Sequence, residues 1–350
     1  MEFKTGILTL ERLKPIQKYL ENDEITNIDW NGTELWLRDT SNRCYKDDNT
    51  DVDETYVNNL IANIANSKGE VFNQEKNILE TANEELHIRV TAVHKSIATN
   101  GNALSIRRTT VKSRFTYDSL IKSGYIKEKE LNLLINCIIA GCNVVVGGIP
   151  EAGKTEFGKY LSQYIPDDET VVTIEDSAEW YYKKLKPEAS CIALETNEFF
   201  SYKDAIKLCM KLNPKRILFT EVRSTEVKEL VALWTSGVPG ITTIHSGGYR
   251  TIPDRILNLL ESRRNSEQIE NDIFYNLDIG IFINKKKNKD KTATRYVDEI
   301  GFFDRNNNKN ECIDYMIHQK NVGNTLPDKI LKKMEYAGIR NPFELNTYKI

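Results

Sequence analysis

Residues Val144 to Thr155 read Val-Val-Val-Gly-Gly-Ile-Pro-Glu-Ala-Gly-Lys-Thr, and the rest of the chain is best understood outward from them. Gly148, Gly153, Lys154 and Thr155 stand at the spacing G-x-x-x-x-G-K-[ST]. The apolar run before them predicts a buried strand. After them Phe157, Tyr160, Leu161, Tyr164 and Ile165 share one helical face. Strand, glycine-rich turn and helix in this order are what a phosphate-binding loop requires. Glycines let successive backbone N–H groups point at phosphate oxygens, and the helix presents its positive N-terminal end. The predicted nucleotide cradle is Gly148, Ile149, Pro150, Glu151, Ala152, Gly153, Lys154, Thr155 and Glu156, with Lys154 reaching the β- and γ-phosphates of ATP and Thr155 a ligand of Mg2+. Glu151 is the discordant member, a carboxylate close to a polyanion where such loops commonly carry glycine. Either it turns to solvent or it lowers nucleotide affinity.

Length and composition bound the alternatives. A chain of 350 residues has room for two domains with separate cores. Hydrophobic content of 40% and charged content of 28% are those of a soluble globular protein. The net charge of −3 counts against a protein that coats nucleic acid, so no strong nucleic-acid binding is expected. The sequence after Met1 lacks the apolar core of a secretory signal, and no run of about 18 apolar residues predicts a membrane span. A cytoplasmic location is the expectation. Six scattered cysteines never form C-x-x-C, which suggests neither a zinc site nor a disulfide framework.

Residues 1–108 predict a smaller α+β domain. Thr9 to Leu20 has helical spacing, Asn31-Gly32 divides a hairpin over Ile25 to Arg38, and Val57, Leu60, Ile61 and Ile64 mark a second helix. Strands are expected over His87 to Val93 and Ala103 to Arg108. Residues 109–120 read as a linker, and 121–350 as an α/β domain with a C-terminal tail in which no motif stands out after about residue 305. Short apolar strands at Asn143 to Val146, Val171 to Ile174, Ile217 to Thr220 and Ile241 to Ile244 alternate with helical sequence, the signature of a mostly parallel sheet. Each strand ends in polar residues: the loop, then Glu175-Asp176, then Glu221, then His245. Ligands of such sheets bind beyond the carboxyl ends of the strands, so these residues converge. The basic run Lys285 to Lys291 reads as a solvated hairpin loop or as a patch for anionic lipid or an acidic partner.

Hydrolysis of ATP needs positioning of the γ-phosphate, Mg2+ and water more than covalent help. Lys154 and Thr155 supply the first, Glu175 is placed to activate water, and Glu221 to hold Mg2+, with Asp176 and Glu179 in support. His245 ends its strand where a γ-phosphate sensor belongs. Arg89, Arg107, Arg108 and Arg223 are the candidates for positive charge on the γ-phosphate, from the same subunit or a neighbour.

These motifs together resemble the secretion-superfamily hexameric ATPases of type IV secretion, type II secretion and pilus assembly. Thr173 to Glu179 looks like that family's Asp box, Asn213 to Arg223 like its atypical Walker B, and Gly237 to Gly240 with Thr243 to His245 like its His box. Arg89-Val90 and Gly101 through Arg108 are similar to the stretch leading out of its N-terminal domain. The resemblance implies a RecA-like P-loop NTPase domain, a mobile N-terminal domain, and a homohexamer peripheral to the inner face of the cytoplasmic membrane. Its implied partners are membrane-embedded secretion or pilus-assembly proteins. It further implies that Glu175 activates water, that Glu221 and Glu175 serve Mg2+, that His245 senses the nucleotide, and that Arg89 and Arg107 reach the γ-phosphate. Pro150, Glu151, Ser177 and Ser224 depart from the family pattern, and of these Glu151 bears on hydrolysis. Without the paired C-x-x-C of type II secretion ATPases, the chain looks most like the type IV secretion or tight-adherence pilus branch. Two other classes compete: a non-hydrolysing nucleotide-binding scaffold, and a RecA-like DNA-processing motor.

Overall fold

Short β-branched runs with alternating burial build the N-terminal sheet. The computed structural model describes residues 13–83, 85–197, 199–222, 227–260 and 266–345. The chain divides into two compact units, Met1–Thr110 with Lys287–Thr294, and Val111–Lys286 with Arg295–Ile350. In the first unit α1 (Lys14–Leu20) precedes β1 (Ile25–Trp30), β2 (Leu35–Asp39) and β3 (Cys44–Lys46). Then follow α2 (Glu54–Lys68), β4 (Ile78–Asn83), β5 (Ile88–Val93) and β6 (Ala103–Arg108). The strands lie in the order β3-β2-β1-β6-β5-β4, with every neighbour antiparallel. Ile28, Leu37, Val90 and Ile106 on one face meet Val57, Leu60, Ile61 and Ile64 of α2, which buries both amphipathic patterns in one core. Asp53 caps α2 by accepting from Tyr56 N, and Gly69 ends it at φ 67°. The hairpin expected at Asn31-Gly32 is present, and the Asn31 carboxamide accepts from the backbone N–H of Thr33 and Glu34. Of the helix expected over Thr9 to Leu20, the first four residues lie outside the described residues.

The second unit holds the parallel sheet. Its elements begin with α3 (Tyr117–Lys122), α4 (Glu128–Ile139), β7 (Val144–Gly148), α5 (Lys154–Ser162) and β8 (Val171–Glu175). Next come α6 (Tyr182–Leu185), β9 (Cys191–Glu195), α7 (Tyr202–Leu212), β10 (Arg216–Phe219), α8 (Val227–Thr235) and β11 (Gly240–His245). The chain continues through α9 (Ile252–Asn258), α10 (Ser266–Asn276), β12 (Ile279–Lys287), β13 (Ala293–Asn306), β14 (Lys309–Ile317), β15 (Lys320–Asn321) and α11 (Asp328–Tyr336). Strand order is β15-β14-β13-β12-β7-β11-β10-β8-β9, parallel from β12 to β9. β7, β8 and β10 are buried at every position, as strands covered by helices on both faces must be. The second unit thus has the RecA-like α/β arrangement, and the first is the smaller α+β unit.

Two departures from the sequence expectation matter. The stretch read as a linker contains the start of α3, whose Thr116 and Ser119 form a reciprocal capping box. Residues 287–294, expected within the second domain, belong to the first unit, where Ala293 N donates to Ser41 O at 2.8 Å. The motif-free tail is tied down. Asn136 Nδ2 donates to the carbonyls of Asn341, Pro342 and Glu344, and Lys333 Nζ of α11 reaches buried Asp278.

Candidate functional site

The loop after β7 is shaped by two glycines and held by two cations. Gly148 pairs in register with Ile283 of β12, and a Cβ there would stand 2.8 Å from the Ile283 carbonyl oxygen. Gly153 sits at φ 86°, in the left-handed region that glycine enters freely. Glu151 also has positive φ, 62°, which costs an L-residue about 1–2 kcal/mol. Its side chain is exposed, beside Lys285. Lys285 Nζ donates to Pro150 O at 3.0 Å and lies 3.5 Å from the Glu151 carboxylate, while Arg295 Nε donates to Glu151 O at 3.0 Å. Ala152 is buried, and its N–H closes the turn onto Ile149 O.

One residue from the first turn of α5 and two from neighbouring strand ends form one hydrogen-bonded chain. Lys154 Nζ, on a buried side chain, donates to His245 Nδ1 at 3.1 Å, and His245 Nε2 lies 3.0 Å from Glu221 Oε1. An ammonium only donates, so Nδ1 accepts. The ring proton then sits on Nε2, where it donates to Glu221. The register explains the meeting: β11 lies between β7 and β10, with His245 paired to Gly148.

Glu175 lies elsewhere in the same row of strand ends. Its buried Oε2 accepts from the backbone N–H of Glu179 at 2.6 Å and Trp180 at 2.9 Å. Burial pushes its carboxyl up to about 7, and those two N–H groups oppose the shift. The turn they hold puts Tyr181 at φ 47° and lays Trp180 on α5, where a Cβ on Gly158 would come within 2.8 Å of the indole. Lys159 of α5 is buried with its ammonium 5.6 Å from the centre of the Tyr181 ring; burial lowers its pKa, and Glu156 and Glu175 oppose that. Thr155 is half-buried in the first turn of α5. Glu156 Oε1 accepts from Arg114 N at 2.5 Å, so its carboxylate holds the segment entering the unit.

Beside the loop an open cleft of about 500 Å³ is lined by Gly148, Ile149, Pro150, His245 and Gly247, with Asp254 and Arg255 of α9. Arg89 and Arg107 are directly opposed on β5 and β6 of the first unit. Arg108 is used locally, donating to Ile25 O at 3.0 Å and pairing with Asp23. Arg223 and Ser224 lie outside the described residues. Arg295 escapes the sequence reading, and Lys285 enters it only as the first residue of the basic run read as a solvated loop or a patch, whereas it stands on β12. The signal for them was Glu151 itself, which needs a nearby counter-charge, together with the basic run that follows an apolar strand.

A family model described as Type II/IV secretion system protein matches residues 68–273. An uncharacterized Bacillus anthracis protein is 26% identical over 277 residues, 76% of this chain and 60% of that protein. The conjugal transfer protein TrbB of Rhizobium radiobacter is 30% identical over 152 residues, 42% of this chain and 45% of TrbB. The chain thus spans about half to three fifths of the length of these relatives. Among solved structures, the ATPase DotB of Yersinia pseudotuberculosis superposes with a TM-score of 0.62 at 14% identity, covering 88% of this chain and 84% of that one. At that identity the likeness speaks for the fold.

Proposed function

This chain belongs to the type II/IV secretion system protein family, and from that premise we propose that it is a Mg2+-dependent ATPase motor of a type IV secretion or pilus-assembly machine, acting as a homohexamer against membrane-embedded partners. The observation that carries the reading is the Lys154–His245–Glu221 chain, which joins the phosphate loop to two further strand ends. The residues suit a nucleotide and its ion. Gly153 takes the left-handed turn that the loop needs, Gly148 packs against β12 where a Cβ would meet the Ile283 carbonyl, and Lys154 offers a charge on the N-terminal turn of α5. Thr155 and Glu221 would hold Mg2+, which supplies charge neutralisation between phosphate oxygens when bound.

In this reading Lys154 leaves His245 Nδ1 when the γ-phosphate arrives, which frees that nitrogen and makes His245 the reporter of nucleotide state. Water attacks the γ-phosphorus, its proton passes to Glu175, and the bond to the β-phosphate oxygen breaks. A carboxyl near pH 7 is suited to this work, because a general base is most effective when its pKa lies near the operating pH. The relative named a conjugal transfer protein supports the secretion branch. The scaffold reading draws on one observation, that the Glu175 carboxylate already holds two backbone N–H groups.

Specific ATPase activity measured against protein concentration with Mg2+, alongside Glu175→Gln, separates the two. A motor gives activity per subunit that rises on assembly and falls about 10²- to 10⁴-fold in the variant. Equal, negligible turnover in wild type and variant at every concentration would leave the scaffold.

A further inference from the structure

The crown of the loop carries a carboxylate that a polyphosphate repels, at a backbone angle that glycine would adopt without strain. Two cations meet there from two neighbouring strands. Lys285, on β12, binds the carbonyl of Pro150 and neutralises the Glu151 side chain. Arg295, on β13, binds the carbonyl of Glu151, and its Cδ lies 3.6 Å from where a Cβ on Gly153 would be, so its stem covers the loop's second glycine. An exposed ion pair alone is worth little. Here each cation also holds a backbone carbonyl, and both act on the one residue whose charge and conformation oppose phosphate binding.

We propose that Lys285 and Arg295 are positioning residues for the nucleotide phosphates: together they hold Glu151 turned away from the ligand and fix the left-handed crown of the loop. This rests on the reading of residues 148–156 as a phosphate loop. The two cations do for this chain what a glycine at position 151 does without help, and they set two positive charges beside the one negative charge of Glu151. Lys285 acts through the carboxylate as well as through the Pro150 carbonyl, and Arg295 through the backbone, so their effects depend differently on what stands at position 151.

The test is titration of the full chain with a fluorescent ATP analogue, comparing wild type, Lys154→Ala, Lys285→Gln, Lys285→Arg, Arg295→Gln and Glu151→Gln with its double variants, folding being checked by circular dichroism. Lys285→Gln is expected to weaken binding about tenfold, the scale of one lost charge-assisted contact, and by clearly less, about threefold, when Glu151 is already Gln and only the Pro150 contact is lost. Lys285→Arg restores binding. Arg295→Gln weakens binding equally in both backgrounds. Equal losses from Lys285→Gln with Glu151 and with Gln at 151 overturn the proposal, because Lys285 then acts on the ligand or on the fold. So does unchanged binding by Lys285→Gln while Lys154→Ala loses the analogue. If Lys154→Ala binds as wild type does, the phosphate-loop reading falls and takes the proposal with it.

Discussion

Glu175 concentrates the tension between stability and chemistry in one side chain. Its carboxyl, near 4.5 when solvated, is pushed up to about 7 by burial. Between those values the folded protein keeps a proton that the unfolded chain has released. The stability this confers is complete below about pH 4.5 and is lost as pH rises through about 7, up to about 3 kcal/mol. Glu175→Gln removes the titration and can still accept an N–H. Urea unfolding at pH 5 and pH 8 is expected to show the variant gaining on wild type as pH rises; an unchanged gap between the two proteins would rule out burial as the cause. The positions of Glu175, Glu221 and His245 at strand ends, and of Lys154 at the start of α5, were legible, because a parallel sheet brings its carboxyl ends together. What Glu175 binds was not. That depends on a turn folding back through the left-handed Tyr181 to set Trp180 on Gly158, and no local pattern in residues 176–181 announces it.

The elements divide by how much of their burial is written locally. Buried runs that open on consecutive valines, such as β7 and β8, declare themselves, whereas the edge strand β9, largely exposed, has no such pattern to read. The longest apolar run, Leu133 to Val146, is broken by Asn136 and Asn143, and both breaks have physical reasons. Asn143 donates to Asn276 O and accepts from Gly240 N, which ties the start of β7 to the end of α10 and the start of β11. Buried Asn136 anchors the tail on α4 through three carbonyls, an arrangement invisible in a tail without periodicity. Asn136→Ala strands those carbonyls and is expected to cost about 1–3 kcal/mol. Hydrogen exchange should find residues 341–345 losing protection well before β7 does. If both lose protection together, the tail is held by something other than Asn136.

On the scale of the whole molecule, the chain passes between its two units three times: after Thr110, after Lys286 and after Thr294. The sequence shows one passage, because a linker has a polar, aperiodic signature, while a polar hairpin tip carries nothing that says which core it serves. Lys112 is exposed in the first passage, so a protease site placed beside it is reachable. After cleavage there the two pieces are expected to co-elute in native size exclusion and to separate only in denaturant. Separation in native buffer would mean that residues 287–294 hold too weakly to count. The same feature bears on inheritance. The N-terminal unit cannot be exchanged between relatives as one contiguous cassette, because part of it is encoded within the gene segment of the other unit, and a recombination at the linker would deliver each descendant a sheet without its own hairpin.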